Sequence, residues 1–224
     1  VYNAEGVQEL DASIMQSNDH NAGAITGVTT VKNPISLARH VMENTKHVMF
    51  SGEGAEIIAK EAQLDLVDPS YFYSEKNLKR LKKQQSKDDK LGTVGVVAVD
   101  KKGIIVAGTS TGGMTNKLKG RIGDSPVIGA GTWATNGCGV SGTGHGEFFI
   151  RYNVAKEICT RVLSGGLSVS DAANSVISEL KLLGADAGVI VIDQYGSAAM
   201  IYNTPAMARA YKNSNGDEEV SIYK

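Results

Sequence analysis

Two short apolar runs joined by a three-residue turn place the strongest constraint on the fold. V-G-V-V-A-V-D at residues 94–100 and I-I-V-A-G-T-S at 104–110 flank a K-K-G turn. Such runs are typical of buried strands, and a short connection that contains glycine favours an antiparallel hairpin. A-G-V-I-V-I-D at 187–193 and S-A-A-M-I-Y-N at 197–203 have the same form around Q-Y-G. The sequence therefore predicts two β-hairpins.

Helices are predicted in blocks around the first hairpin. Asn33 followed by Pro34 has the form of an N-cap and a first helical residue, and residues 53–62 predict a second helix. Residues 147–163 predict one long helix, because their apolar residues fall on a single stripe. Ser168 or Ser170 caps a further helix that ends near Leu183 and Gly184.

Short strands at residues 127–133 and 138–142 complete the predicted order. Helices are grouped and do not alternate with single strands, so the order predicts a layered α+β fold and not a doubly wound parallel sheet. Residues 74–90 hold seven Lys or Arg, three acids and two leucines, which predicts a mobile linker. No aromatic residue lies among these lysines, so a solvated loop is favoured over a nucleic-acid site.

Composition argues against several classes of protein. The chain has 224 residues, of which 42% are hydrophobic, and this length suits one domain or at most two small ones. Its 24 acidic and 23 basic residues nearly cancel, so neither nucleic acid nor an anionic membrane is predicted as a partner. Cys138 and Cys159 match no zinc signature and are not expected to form a disulfide framework, which favours a reducing compartment and a cytoplasmic protein.

Two glycine motifs match known functional patterns, but the residues around them do not favour those functions. G-A-G-T-W-A at 129–134 fits a dinucleotide fingerprint, but two further glycines follow where a helix is required. G-T-S-T-G at 108–112 fits the nucleophile elbow of a serine hydrolase, although the following residues are a poor core helix. Neither a phosphate-binding loop nor an H-E-x-x-H motif occurs in the sequence. No organic cofactor is predicted.

Thr93 lies where the basic stretch meets the first strand, with glycine at 92 and 95. A threonine hydroxyl is a weak nucleophile unless a base takes its proton, and the free α-amino group of the same residue is one such base. Thr93 could use it only after cleavage of the Gly92–Thr93 bond. Without that cleavage, Thr93 is simply a residue type that favours strands.

Several ordered motifs are similar to those of one family. G-T-V-G-V-V-A-V-D, A-G-T-S-T-G-G-M-T-N-K, G-R-I-G-D-S-P-V-I-G-A-G-T and S-G-T-G-H-G-E-F-F-I-R resemble the plant-type asparaginase and isoaspartyl peptidase family, as do E-L-D-A-S-I-M and N-A-G-A-I-T-G-V. The resemblance covers almost the whole chain. It implies an N-terminal nucleophile hydrolase with a four-layer αββα sandwich, made as a precursor that cleaves itself before a threonine.

The resemblance also implies how the chain is organised. Cleavage would produce an α subunit, residues 1–92, and a β subunit, residues 93–224, and two precursors would pair to give an (αβ)2 assembly. Family members carry a first strand and a His-Gly-Gly-Ala-Gly segment ahead of the point where the printed sequence begins. Neither is found in this sequence.

The catalytic roles implied by the resemblance fall on four residues. Thr93 would be the nucleophile and base, and Thr111 would hold or polarise its hydroxyl. Thr143 and Gly144 would form the oxyanion hole, because they precede a predicted helix whose N-terminus favours negative charge. A glycine-rich turn is the alternative for these two residues. His145 is treated as structural, since a terminal amine leaves it no necessary role.

Substrate and metal contacts are implied at further positions. Arg121 and Asp124 would bind the α-carboxylate and the α-ammonium of the substrate, which suits a guanidinium fork and a carboxylate. An exposed ion pair is the alternative for this spacing. Asn18 matches an asparagine near the family's active site. The E-L-D-A-S-I segment, residues 9–14, is expected to be a loop whose Glu9, Leu10 and Ser13 carbonyls hold a structural sodium ion.

The predicted reaction is hydrolysis of an amide at the side-chain carboxyl of an aspartyl residue. L-asparagine and β-aspartyl dipeptides are the expected substrates. Two alternatives remain at this point: a glycosylasparaginase, which cleaves sugar-linked asparagine with the same nucleophile, and an uncleaved relative without activity.

Overall fold

The computed structural model describes residues 1–84 and 91–223. The strands are β1 (Leu10–Gln16), β2 (Ala22–Val28), β3 (Met49–Ser51), β4 (Leu91–Val99), β5 (Ile105–Met114), β6 (Thr132–Thr135), β7 (Cys138–Gly144), β8 (Ala187–Asp193), β9 (Ala198–Tyr202), β10 (Ala206–Lys212) and β11 (Glu218–Tyr223). The helices are α1 (Pro34–Asn44), α2 (Gly52–Glu61), α3 (Glu75–Gln84), α4 (Gly146–Tyr152), α5 (Val154–Leu163) and α6 (Val169–Leu182). No helix in the two described stretches is long and apolar enough to cross a bilayer.

The strands form two larger sheets and one separate hairpin. The first sheet has the order β3-β2-β1-β5-β4, and the second has the order β6-β7-β8-β9. Neighbouring strands are antiparallel except β2 and β3, which run parallel. The predicted hairpins β4–β5 and β8–β9 are confirmed. The mixture of grouped helices and antiparallel strands confirms the α+β class.

The two sheets face each other, and helices cover their outer faces. Strands β4 and β5 contact β6, β7 and β8 across the interface, where an apolar cluster includes Ile105, Ala107 and Ile192. Helices α1 and α2 pack on β1 and β2, whereas α5 and α6 pack on β7, β8 and β9. Three apolar clusters therefore occupy the spaces between successive layers.

The predicted helix over residues 147–163 is wrong in one respect, because it is interrupted. Asn153 adopts a left-handed conformation with φ of 49° between α4 and α5. Asparagine tolerates this region better than most residues. The break lets the first backbone N–H groups of α5 donate to the carbonyls of Gly129 and Ala130. Those two residues lie in a turn, so the strand predicted at 127–133 begins only at Thr132.

Part of the predicted linker is ordered as a helix. Glu75–Gln84 forms α3, and Leu81 is buried although most of its neighbours are charged. The helix begins where the Ser74 backbone N–H donates to the Tyr2 hydroxyl. The burial of Leu81 thus holds this segment as a helix, although its low apolar content predicted a mobile linker. The remaining linker residues, 85–90, lie outside the described part of the chain.

A disulfide joins Cys138 of β7 to Cys159 of α5, which the sequence analysis did not expect. The two cysteines are 21 positions apart, but α5 packs directly on β7, so both side chains lie in the same buried cluster. Sequence spacing does not reveal such a meeting of strand and helix. The pairing removes the cysteine argument for a reducing compartment, so a cytoplasmic location stays a prediction without that support.

The core under α1 offers a direct test of this packing. Leu37 is fully buried in the cluster between α1 and the first sheet, whereas Leu182, at the end of α6, is 89% exposed. We expect Leu37→Ala to lower the free energy of unfolding by about 2–5 kcal/mol, because it leaves a cavity. Leu182→Ala should change it by no more than about 0.5 kcal/mol. Urea denaturation of both variants measures the difference, and equal effects would contradict the described core.

Candidate active site

Thr93 lies in strand β4, directly opposite Thr111 of β5. The Thr111 hydroxyl donates to the Gly92 carbonyl at 3.0 Å and accepts from the Gly113 backbone N–H at 2.9 Å. Its oxygen lies 3.3 Å from Oγ1 of Thr93. Because the single proton of Thr111 points to Gly92, Thr93 donates in the bond that the two hydroxyls share. Thr111 therefore contacts both sides of the Gly92–Thr93 peptide bond.

A cavity of about 620 Å³ brings Thr93 together with residues of the second sheet. Thr143 and Gly144, at the end of β7, line the same cavity. Gly144 has a φ of 149°, and a β-carbon there would collide with the Asp186 carbonyl, so only glycine fits this position. Three of the four predicted catalytic residues, Thr93, Thr143 and Gly144, thus line one cavity. Thr111 does not line it, but its hydroxyl is hydrogen-bonded to that of Thr93.

Arg121 and Asp124 lie in the connection between β5 and β6. Nε and Nη2 of Arg121 donate to the Glu147 carboxylate at 2.9 Å each, which is a bidentate pair. A β-carbon on Gly146 would lie 2.9 Å from both Nη2 of Arg121 and Oδ1 of Asp124. The two predicted substrate-binding residues therefore meet beside Gly146, two residues beyond Gly144, although neither lines the cavity that contains Thr93.

The Asp124 carboxyl group is unusual in its surroundings. It is 5% exposed, and Oδ2 has no hydrogen-bond partner among the described residues. Burial raises the pKa of Asp124 to about 7, an effect that its own backbone N–H and the Arg121 guanidinium only partly offset. A buried carboxylate oxygen without a donor is costly, so a ligand that carries an N–H group would satisfy it.

His145 is held by backbone groups rather than by the predicted nucleophile. Its backbone N–H donates to the Asp186 carbonyl at 2.9 Å, and its Nδ1 accepts from the Asp186 backbone N–H at 3.1 Å. These two bonds tie the end of β7 to the start of β8. The ring also lines the cavity, so its predicted structural role does not keep it away from the site.

Asn18 does not lie near the other predicted site residues. It is exposed in the turn after β1, where the neighbouring Ser17 backbone N–H donates to the Ile105 carbonyl. Ile105 is six positions from Thr111 along β5, which corresponds to roughly 20 Å in a strand. The prediction of a site role for Asn18 is therefore wrong, because β1 carries it to the opposite end of the sheet.

The expected sodium-binding loop is instead strand β1. Leu10 pairs with Val28, and Ser13 pairs with residues of both β2 and β5, so their backbones belong to the sheet. The Glu9 carbonyl accepts from Nζ of Lys117 at 3.2 Å, so an ammonium group already lies there. Lys117 is buried and also lies within 4 Å of the Glu9 and Asp11 carboxylates. These residues do not fit a sodium ion.

Sequence reasoning missed several residues that shape the site. Ser141 and the glycines at 95, 142 and 188 line the cavity, and so does the segment 204–208 that leads into β10. Glu147, which orients Arg121, was also missed. Ser141 could have been found from its place two positions before Thr143 on a strand, since alternate residues share a face. The segment 204–208 carries no comparable signal.

These groups have the chemistry of a hydrolase with a hydroxyl nucleophile. A partly buried threonine faces, across a cavity, a strand end that could stabilise an oxyanion, and a cation–carboxylate pair lies beside it.

Comparisons with known proteins agree with this class. The family model described as Asparaginase matches residues 1–222. The isoaspartyl peptidase of Salmonella typhimurium is 41% identical over 240 residues, covering 100% of this chain and 77% of that protein. The isoaspartyl peptidase of Escherichia coli is 40% identical over 240 residues, covering 100% of this chain and 75% of its own. The isoaspartyl peptidase/L-asparaginase of Bos taurus is 37% identical over 217 residues, covering 92% and 70% respectively. The chain belongs to the asparaginase family.

The raised pKa of Asp124 makes stability depend on pH. Between pH values of about 4 and about 7, the folded chain keeps a proton on Asp124 that the unfolded chain has lost, so the free energy of unfolding should fall as pH rises through this window. Asp124→Asn should make that fall smaller, as measured by urea denaturation across the window. Asp65→Asn, at a side chain 70% exposed, should keep the wild-type slope. Identical slopes in wild type and Asp124→Asn would contradict the raised pKa.

Proposed function

We propose that this protein hydrolyses the side-chain amide of L-asparagine and of β-aspartyl dipeptides, releasing L-aspartate. The observation that carries the proposal is the shared cavity of Thr93, Thr143 and Gly144, with Arg121 and Asp124 meeting beside it. The names of the relatives from Salmonella typhimurium and Escherichia coli support the β-aspartyl substrates, and the name of the Bos taurus relative supports both substrates.

The proposed activation is cleavage of the Gly92–Thr93 bond by Thr93 itself. Oγ1 of Thr93 attacks the Gly92 carbonyl carbon, and the hydroxyl proton passes to the Thr93 nitrogen as the C–N bond breaks. Water then hydrolyses the resulting ester, which frees the Gly92 carboxylate and returns a proton to Oγ1. The hydroxyl of Thr111, which donates to the Gly92 carbonyl oxygen, supports this step because it can stabilise the negative charge that develops there. The product is a terminal Thr93 whose amino group can act as a base.

The proposed catalytic cycle uses the freed amine. It takes the Thr93 hydroxyl proton while Oγ1 attacks the substrate β-carbonyl, and Thr143 and Gly144 donate to the oxygen that becomes negative. The proton then passes to the departing ammonia or amine. Water attacks the β-aspartyl ester on Thr93, again with the amine as base, and aspartate leaves. Thr111 keeps the Thr93 hydroxyl oriented through the contact at 3.3 Å.

Arg121 and Asp124 are proposed to bind the amino-acid head of the substrate. Among the described residues, Nε and Nη2 of Arg121 donate to the Glu147 carboxylate, which leaves Nη1 to donate to the α-carboxylate of the substrate. The unpartnered Oδ2 of Asp124 supports its role as the acceptor for the α-ammonium, which would also favour the charged carboxylate. A leaving group would then extend toward the wall formed by residues 204–208. A water molecule, which is similar in size to ammonia, occupies about 30 Å³. A cavity of about 620 Å³ therefore has room for the second residue of a dipeptide.

The finer architecture is proposed from the same resemblance. Two facing sheets with helices outside them support a four-layer αββα sandwich of the N-terminal nucleophile hydrolase type. Cleavage would give the subunits 1–92 and 93–224, and two precursors would pair to form an (αβ)2 heterotetramer. A cytoplasmic location stays a prediction.

Self-cleavage is tested on a denaturing gel. The wild-type chain should give two bands, and the smaller β subunit should begin at Thr93 when its terminus is sequenced. Thr93→Ala should give one uncut band and no aspartate release, because both nucleophile and base are lost. Thr93→Ser keeps a hydroxyl and an amine, so it should still be cut. If Thr93→Ala is cleaved and active, the proposed mechanism is wrong. A wild-type chain that stays uncut supports the inactive relative.

Substrate binding is tested by replacing the guanidinium fork. Arg121→Lys should lower kcat/KM for asparagine about tenfold to a hundredfold, chiefly through KM, because an ammonium group cannot keep the bidentate pair with Glu147 and also donate to the substrate α-carboxylate in the same geometry. Arg39→Lys, at an exposed i,i+4 ion pair, should leave the kinetics unchanged. Aspartate release is measured in parallel from asparagine, a β-aspartyl dipeptide and a sugar-linked asparagine. Activity on the last substrate alone would favour the glycosylasparaginase.

A further inference from the structure

Four buried hydroxyl side chains lie between the two sheets, beneath the candidate active site. Ser13 and Thr109 belong to the first sheet, and Thr132 and Ser141 belong to the second. None of them is more than 3% exposed. We call these four residues the hydroxyl layer. It separates the catalytic end of the interface from the apolar cluster that fills the other end.

Two hydrogen bonds and one further close contact of the hydroxyl layer cross from one sheet to the other. Thr132 donates to Thr109 at 2.6 Å, and Thr109 and Ser141 share a bond at 2.7 Å. Ser13 lies 2.8 Å from Thr132, but its single proton is donated to the Ser125 carbonyl at 2.6 Å. Hydroxyl pairs hold a narrow range of distances and angles, and a chain of them is mutually polarised. Apolar contacts have no preferred direction, so they fix this geometry less closely. The layer therefore specifies the separation of the sheets at this level.

The hydroxyl layer is in register with the candidate catalytic residues. Thr109 is two positions before Thr111 on β5, and Ser141 is two positions before Thr143 on β7. Alternate residues of a strand share a face, so the Thr109–Ser141 bond lies one inward-facing position below the gap between Thr111 and Thr143. It is the polar link between the sheets that lies next to this gap.

Strand β4 follows the same register. Gly95 is two positions after Thr93 and pairs with Thr109. A β-carbon at Gly95 would collide with Oγ of Ser141, so the absence of a side chain lets β4 approach β7 closely. Ser141 and Gly95 also form part of the cavity wall beside Thr93. The contact between the nucleophile strand and the oxyanion strand thus runs through this serine.

We propose that Thr109 and Ser141 are positioning residues that set the distance between Thr93 on one sheet and the oxyanion donors on the other. This inference rests on the proposed function, because it assumes that Thr93 attacks a carbonyl whose oxygen is bound by Thr143 and Gly144. Such donors act only when they lie about 2.7–3.1 Å from the developing oxyanion. A displacement of about 1 Å can cost a hundredfold in rate.

Thr109→Val tests the proposal, because valine keeps the shape of threonine and removes the hydroxyl. We expect kcat for asparagine to fall about tenfold to a hundredfold, while KM changes less than about threefold, since Arg121 and Asp124 are untouched. Thr109→Ser restores the hydroxyl and should return kcat to within about threefold of wild type.

Ile192→Val provides a matched control for stability alone. It removes one methylene from the apolar cluster between the same two sheets and should cost about 0.5–1.5 kcal/mol. We expect it to leave kcat unchanged at a melting temperature similar to that of Thr109→Val. An equal loss of kcat in both variants, or no loss in Thr109→Val, would overturn the positioning role. An inactive wild-type enzyme would instead contradict the proposed function itself.

Ser141→Ala gives a second and independent variant that removes little volume. It should lower kcat in the same way as Thr109→Val, and the double variant should be little worse than the poorer single variant, because both substitutions break the same bond. Fully additive losses would contradict a shared role. Self-cleavage uses Thr93, Gly92 and Thr111 of the first sheet, so it should proceed in Thr109→Val as it does in Ile192→Val; a failure confined to Thr109→Val would contradict a role limited to the distance between the sheets.

Discussion

The separation of two facing sheets is the constraint on which the rest of this structure depends. The candidate nucleophile lies on β4 of the first sheet, and the candidate oxyanion donors lie on β7 of the second. No single strand or loop carries both, so their distance is set by whatever packs between the sheets. Apolar side chains fill one end of the interface, and the hydroxyl layer lies between that cluster and the cavity.

The helices support the two sheets from their outer faces. The α1 and α2 cluster braces the sheet that carries Thr93, and the α5 and α6 cluster braces the sheet that carries Thr143. The disulfide ties β7 to α5 within the second of these clusters. Arg121 is oriented from a different direction, through Glu147 of α4. The site is therefore assembled from separate units, each with its own packing.

Much of the fold could be predicted wherever the apolar pattern of an element faces a core. The hairpins at β4–β5 and β8–β9 and the helices α1, α2 and α6 were predicted for this reason. Strand β1 was missed because Asp11 and Ser13 point into a polar part of the interface and hide its periodicity. The break at Asn153, the disulfide and helix α3 depend on contacts between distant segments, which a local pattern does not contain.

The residues predicted for the candidate site also fall into two groups, those that the structure brings together and those that it does not. The motifs around Thr93, Thr111, Thr143 and Gly144 were assigned by resemblance, and the structure brings those residues together. Asn18 and the sodium segment were assigned by the same route, but the register of β1 places Asn18 at the far end of the sheet and commits the segment to backbone pairing. A motif identifies residue types, whereas the strand register decides which of them meet.

The identity of the nucleophile is the central claim, and acid quenching during turnover tests it most directly. The enzyme is mixed with a β-aspartyl dipeptide, quenched, digested and examined by mass spectrometry. We expect a peptide that begins at Thr93 and carries one aspartyl group on the threonine. An aspartyl group on any other residue, or none on Thr93 while the intermediate accumulates, would contradict it.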